Sequence, residues 1–385
     1  MKLLLLFSFE ISLEEWHEIG ILDRETRLYQ ELIRRYAVSV KFLTYGGKED
    51  RKWLSKIGGI QVLPVYQDRP TARGRLCRLF KSLSLPWTMG SELGAVDLYK
   101  SNQMMGAWVG VVSKLRFRKP LLVRCGYELS EFNRLGRAKW WHQLGGWALS
   151  FVSYQLADRI HVATLDDKKL IGERFRVPEH KIHVQPNWVD TEAFSPPSDE
   201  SERQNRVLFV GRFAEQKNLP LLIDAVSGTD LMITIVGSGN DENIIREKIA
   251  REGIEADIKN RVPNHSMPTL YQQCSVYVIC SRYEGNPKTL LEAMSCGCAV
   301  IGTNVKGVRG IIEHGKNGIL VDQDATVLRQ AMLDLINNRD LCLELGKAAR
   351  KWVLQKHSLD VAVEAEWGAY NALTKLGSGV GDKAR

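Results

Sequence analysis

The stretch VYVICSRYEGNPKTLLEAMSCGCAVIGT, Val276 to Thr303, decides the fold. VYVICS is a short, β-rich apolar run, as expected of a strand buried on both faces of a parallel sheet. Asn286 is a good N-cap and Pro287 suits the first helical position, so a helix is expected through KTLLEAMSC, with Gly297 as its stop. AVIGT is the next strand. In such strand–loop–helix units ligands bind beyond the carboxyl ends of the strands, where helix N-termini turn free N–H groups and a positive dipole toward anions. Glu284 falls in the loop and Glu292 in the helix, about 8 Å along its axis. That separation suits holding two parts of one long ligand better than sharing one proton.

The same alternation runs along the chain. The first half offers LLLLFSF, a helix around DRETRLYQELIRRY, VSVKFLTYG, VDLYKS, PLLVRCGY, a long helix from Trp140 to Ala157, RIHVAT and KIHVQPN. The polar SPPSDESERQNR, Ser195 to Arg206, reads as a linker. Beyond it come VLFVGR, LPLLIDAV, MITIVGSG, ENIIREKIAREG, ADIKNRV, SMPTLYQQC, the opening unit and GILV. Two βα series predict an α/β chain of two doubly wound, Rossmann-like parallel-sheet domains facing each other across a cleft. The expected boundaries are 1–198 for the first domain and 199–355 for the second. A C-terminal helix over 356–376 is expected to pack back on the first domain, followed by a disordered tail over 377–385.

A chain of 385 residues with a quarter of them charged is globular. Its seven cysteines show neither a CxxC pair nor zinc spacing, and are expected to be reduced thiols of a cytoplasmic protein. MKLLLLFSFE is too short an apolar run for a leader, is ended by Glu10 and lacks a small-residue cleavage site, so a first β-strand is expected.

Charge is uneven: residues 1–198 hold 30 Lys and Arg against 21 Asp and Glu, and the remainder 23 against 24. The basic residues sit among apolar ones in RPTARGRLCRLFKSLSLPW (with Arg69, Arg73, Arg75, Arg78, Lys81 and Trp87), KLRFRK and RLGRAKWWHQLGGWALSFVSYQLA. Two readings stay open: a surface that rests on anionic lipid or admits an anionic acceptor, and a solvated basic face beside core aromatics. No nucleic-acid motif accompanies the charge. His142, Gln143, Gly145, Gly146 and Gln155 argue against a membrane span from Trp140 to Ala157.

In VLFVGRFAEQKN a strand ends at Gly211, followed by Arg212 and Lys217, two cations able to clamp a diphosphate without a metal. VGSGNDE lacks the third glycine of a dinucleotide fingerprint. P-loop, HExxH and GxSxG patterns are absent. The acidic pair in LDD, Leu165 to Asp167, suits magnesium less well than the start of the helix KKLIGERF.

FVGRFAEQKNLPLLIDA, PNWVDTEAF, TIVGSG, SRYEGNPKTLLEAMSCGCAVIGTNVKGV and HGKNGILV together resemble the retaining glycosyltransferases of family four, with the two-domain GT-B fold. They cover most of Val207 to Asp322; the first half is similar mainly in layout. The resemblance implies transfer from a nucleotide-diphosphate sugar, with no metal cofactor. Glu284 would contact the transferred sugar, Glu292 the ribose hydroxyls, and Arg212 and Lys217 the diphosphate. Gly211, Asn286, Lys288, Thr289 and Leu290 complete the implied donor site, and Tyr127 and Glu128 are its candidate acceptor side. Gly20 is either a glycine loop after the first strand or an ordinary turn. Three places depart from the pattern: Cys125, Gly126 and Tyr127 stand where a histidine is common, Trp188 replaces the glycine of Pro-Asn-Gly, and Arg309 and Gly310 replace proline and glutamate. The expected partners are a nucleotide-sugar donor, a glycan or lipid-linked acceptor and an anionic membrane, without nucleic acid. A sugar-nucleotide isomerase and a silent binding module are the alternatives; the first would turn over donor without acceptor.

Overall fold

The computed structural model describes residues 1–67, 74–135, 139–260 and 262–379. Arg69, Arg73 and the end of the tail lie outside these residues. Among the described residues there are two parallel sheets, of seven and six strands. The chain divides into a first unit, Met1–Pro186 with Val363–Arg385, and a second, Asn187–Ala362.

The first sheet has the order β3-β2-β1-β4-β5-β6-β7. Its strands are β1 (Lys2–Leu6), β2 (Ser39–Thr44), β3 (Gln61–Pro64), β4 (Leu98–Ser101), β5 (Leu121–Cys125), β6 (Arg159–Val162) and β7 (Ile182–Val184). β1 pairs with β2 and β4 and is covered on both faces, which is why Leu3 to Leu6 form an unbroken apolar run. On β4, Lys100 is fully buried and donates to Glu366 Oε1 at 2.8 Å and Tyr370 Oη at 2.9 Å. Both acceptors lie on the helix Leu359–Gly379, which also places Trp367 on Tyr36 at 4.6 Å. That helix starts after 356 and continues beyond 376, and a separate helix, Arg339–Lys356, capped by Asn338, ends before it.

The second sheet has the order β10-β9-β8-β11-β12-β13. Its strands are β8 (Gln204–Val210), β9 (Met232–Val236), β10 (Ala256–Lys259), β11 (Cys274–Ile279), β12 (Ala299–Thr303) and β13 (Ile319–Val321). All neighbours are parallel, so every strand ends on the same edge. The stretch read as a linker is part of this unit. Arg203 is buried there, donating to the carbonyls of Tyr271, Cys274 and Cys296 at 3.1, 3.0 and 2.5 Å. Val189 likewise exchanges backbone hydrogen bonds with His357 and Leu359. These ties move the division from the expected 198 to Pro186.

Candidate functional site

Four loops leave the carboxyl edge of the second sheet, after β8, β9, β11 and β12. Backbone contacts that exclude side chains join them. Gly237 has φ +152, and a Cβ there would collide with the carbonyl of Gly211. Gly239 faces Phe213 as closely, while Phe213 N–H donates to Ser238 O at 3.0 Å. The glycines of VGSG thus serve the approach of one loop to another. Gly307, after β12, leaves no room for a Cβ against the carbonyls of Glu284 and Gly285.

The β8 loop is zipped to the β11 loop. Arg282 N–H donates to Gln216 O at 2.8 Å and Gln216 Nε2 to Tyr283 O at 3.0 Å. Between these contacts Lys217 Nζ meets Glu284 Oε1 at 2.5 Å, and Ser281 Oγ donates to the same oxygen at 2.7 Å. Glu284 is buried and Lys217 nearly so. A lysine ammonium carries three donors, so two remain for a ligand. Arg212 is exposed at the end of the same strand.

The helix after β11 runs Lys288–Ser295, with Pro287 as N-cap and no side-chain cap. This corrects the expected cap at Asn286, whose Oδ1 accepts from Asn187 N at 2.9 Å and whose carbonyl accepts from Asn187 Nδ2 at 2.5 Å. With its side chain held by PNW, Asn286 cannot close the helix. No N-cap side chain closes this helix, so its N-terminus, from Lys288 to Leu290, is a cationic helix end beside Lys217's loop.

Glu292 is buried one turn further on, 3% exposed, and accepts from Tyr271 Oη at 3.0 Å. Tyr271 belongs to the helix Met267–Gln273 and is fully buried. Burial, reinforced by the Glu292 charge, pushes its phenol well above the ordinary value, so it remains a donor to the carboxylate. Beside it, 5.9 Å between ring centres, Tyr277 of β11 bonds through its hydroxyl to Thr289 Oγ1 at 2.8 Å. The helix thus has two of its polar side chains fixed from below by buried tyrosines. Neither was legible as a site residue, since each reads as an apolar-face aromatic; the tyrosine hydroxyl in otherwise apolar runs was the available signal.

The candidates of the first unit fare differently. Glu128 is fully buried: Oε2 accepts from Ser130 Oγ at 2.5 Å and Glu131 N at 2.8 Å, and Oε1 from Ser150 Oγ at 2.8 Å. A carboxylate so engaged holds two helices together and is not presented to an acceptor. Cys125 is buried, accepts from Tyr154 Oη at 3.2 Å, and burial raises its thiol far from thiolate. Tyr127 is half-buried. Gly20 lies in the turn between the helices Leu13–Glu18 and Leu22–Tyr36, at φ +73, where a Cβ would meet nothing within 4 Å. The capping box of Ser12 and Glu15 starts a helix before it, so it is not in a loop that directly follows β1. Thr164 caps the helix that begins LDD, accepting from Asp167 N. Among the described residues no group of three or more His, Cys, Asp or Glu could hold a metal ion.

Comparison with known proteins matches residues 190–352 to "Glycosyl transferases group 1" and residues 26–193 to "Glycosyltransferase Family 4". An uncharacterized glycosyltransferase of Methanocaldococcus jannaschii is 31% identical over 147 residues, 38% of this chain and 42% of that one. A Campylobacter jejuni N-acetylgalactosaminyltransferase, named for a diphosphoundecaprenol-linked glycan, is 29% identical over 49% of this chain and 52% of its own. The chain spans about half the length of these curated relatives. Among solved structures, Anabaena HepE in complex with UDP superposes with a TM-score of 0.75 at 17% identity, over 97% of this chain and 100% of that one. Sucrose-phosphate synthase of Thermosynechococcus elongatus does so at 0.78 and 16%, over 98% and 100%. At these identities the structural likeness speaks for the fold.

Proposed function

The chain belongs to glycosyltransferase family four, with a group 1 glycosyl transferase region in its second half, and we propose that it moves a sugar from a nucleotide-diphosphate sugar to a glycan or lipid-linked acceptor. The single observation that carries this reading is the Lys217–Glu284 pair beside a helix N-terminus without a side-chain cap. It sets a cation, an anion-binding helix end and a buried carboxylate within one group of loops. Lys217, Arg212 and the N–H groups from Lys288 to Leu290 take the diphosphate; Gly211 lets the donor approach the β8 loop. Glu284 takes the hydroxyls of the transferred sugar and Glu292 those of the ribose.

The leaving group is a nucleoside diphosphate, so rate acceleration comes from stabilising phosphate charge as the C1–O bond breaks and the sugar gains oxocarbenium character. Lys217 and Arg212 supply that charge without requiring a divalent ion. Transfer retains configuration: the acceptor oxygen attacks the face the phosphate leaves, and the departing phosphate oxygen takes the acceptor's proton. Glu284, paired with Lys217, acts by orienting the sugar rather than as a nucleophile.

A UDP- or GDP-sugar is the favoured donor; HepE was crystallised with UDP and with UDP-glucose. The Campylobacter relative's lipid-linked substrate supports an acceptor of that class, and with it a place in envelope or extracellular polysaccharide or lipopolysaccharide synthesis. The reading includes a cytoplasmic protein with peripheral contact to an anionic membrane. The test is nucleoside diphosphate release from labelled donors with and without a lipid-linked glycan, followed by NMR of the product anomer. Acceptor-dependent release with retention supports the reading; epimerised donor without acceptor overturns it.

A further inference from the structure

Three helices of the first unit lie side by side: Arg75–Thr88, Ala107–Phe117 and Trp140–Leu156. The latter two are the crossovers from β4 to β5 and from β5 to β6, which run in one direction, so right-handed connections place both on the same face of the sheet. The first packs against the second, where Trp108 Nε1 donates to Ser82 Oγ at 3.0 Å.

The Trp140–Leu156 helix is inside out. Its buried positions are Gly146, Ser150, Ser153 and Tyr154, while Trp140, Leu144, Trp147 and Phe151 are exposed. These four recur at intervals of four, three and four residues and so form one stripe. The Arg75–Thr88 helix repeats the device: Leu76, Phe80 and Trp87 are 71, 70 and 59% exposed on one stripe. A core-facing helix buries such residues, so the two outer helices each turn an apolar stripe outward, while the middle one buries Ala107, Val109 and Val111 and exposes Leu115.

Charge identifies what covers it. The three helices contain no Asp or Glu, and hold Arg75, Arg78, Lys81, Lys114 and Arg116. Arg78 is neutralised by Glu10 and Lys114 by Asp158. Arg116 instead lies over the Trp87 ring at 5.3 Å, and Lys139 over Trp141 at 5.1 Å. Cations stacked on exposed tryptophans suit the headgroup level, where the ring sits among acyl chains and the charge meets phosphate. Glu10, between Arg75 and Arg78, and Asp158, on Lys114, are already engaged, so a second copy docking through this face would bring further cations without offering acids to meet them. Among the described residues no helix is long and apolar enough to cross a membrane.

We propose that this three-helix layer is a membrane-docking surface for anionic phospholipid. The inference deepens the membrane contact in the functional reading above and rests on it, naming the surface and its lipid. The apolar stripes enter the interface and the cations select its charge.

The experiment is sedimentation of the full chain with vesicles of phosphatidylcholine alone, or with one third phosphatidylglycerol, following tryptophan emission and titrating UDP and GDP in parallel. The expected result is binding to the anionic vesicles with a blue shift and little binding to the neutral ones. Trp140→Ser with Phe80→Ser should lower partitioning by about tenfold or more. Arg116→Glu with Lys139→Glu should abolish the preference for anionic lipid. All four sites are exposed, so melting temperatures should stay near wild type. Absent binding, equal binding to both vesicles, or unchanged binding in both double variants overturns the proposal. So does a dimer in ultracentrifugation that Trp140→Ser dissolves, which assigns the face to a second copy. Nucleotide affinity reads the donor site separately: absence of both UDP and GDP binding in wild type speaks against the functional reading, whereas absence of vesicle binding with nucleotide affinity present speaks against this proposal alone.

Discussion

Replacing Lys217 by methionine removes the ammonium and keeps most of its aliphatic stem. In the wild type one of the three donors is held by Glu284 Oε1 at 2.5 Å, which leaves the charge and two donors for diphosphate. Losing one charge-assisted hydrogen bond weakens binding by about 1.5–3 kcal/mol, roughly 10- to 150-fold in affinity. The variant also strands Glu284, which is 7% exposed and retains only Ser281 Oγ among these partners, so the second unit should lose stability as well. Glu284→Gln in the same background relieves the stranded charge and should restore melting temperature without restoring affinity. Calorimetric titration of the nucleoside diphosphate into wild type, both single variants and the double variant separates the two effects. Affinity of Lys217→Met within twofold of wild type would refute the diphosphate role, whatever happened to the melting temperature.

Glu292→Ala should weaken donor binding by about tenfold or more, whereas Glu284→Ala should mainly lower turnover, as steady-state kinetics with varied donor will distinguish. Tyr271→Phe removes the donor to Glu292. The preference for a nucleoside diphosphate over its 2′-deoxy counterpart should fall by roughly fivefold, about 1 kcal/mol, while affinity for free pyrophosphate is unchanged. Lys100→Met leaves the buried Glu366 carboxylate without its ammonium and should destabilise the first unit by about 3–5 kcal/mol; adding Glu366→Leu should recover much of the loss in a thermal melt. Burial holds His161, 3.7 Å from Glu366, below its ordinary value near 6.5, despite that carboxylate and with Lys100 and Arg159 nearby. The unfolded chain then takes up the proton first, so stability falls as pH drops below about 6.5, and His161→Gln should flatten that slope.

The fold was legible because its signals are local. Runs such as LLLLF and VYVICS are apolar without interruption because strands covered on both faces have no solvent side to record. The site was legible in its residue types but not in its pairings. Lys217 and Glu284 are 67 residues apart, and nothing near either predicts their contact. Asn286 satisfies every local rule for a cap, and a residue 99 positions earlier takes its side chain instead. Glu128 resembled a ligand-facing carboxylate until Ser150, 22 residues on, filled its valence. The Trp140 helix shows the reverse case, since its composition was visible but which side faced outward was decided by the small residues that let it pack.

The most direct test of the central claim is a thermal-shift screen of the purified chain against UDP-, GDP-, ADP- and dTDP-sugars, with and without magnesium, alongside Glu292→Ala. The account predicts a rise with one nucleotide class, independent of magnesium and lost in the variant. No rise with any donor, or a rise that Glu292→Ala retains in full, would contradict it.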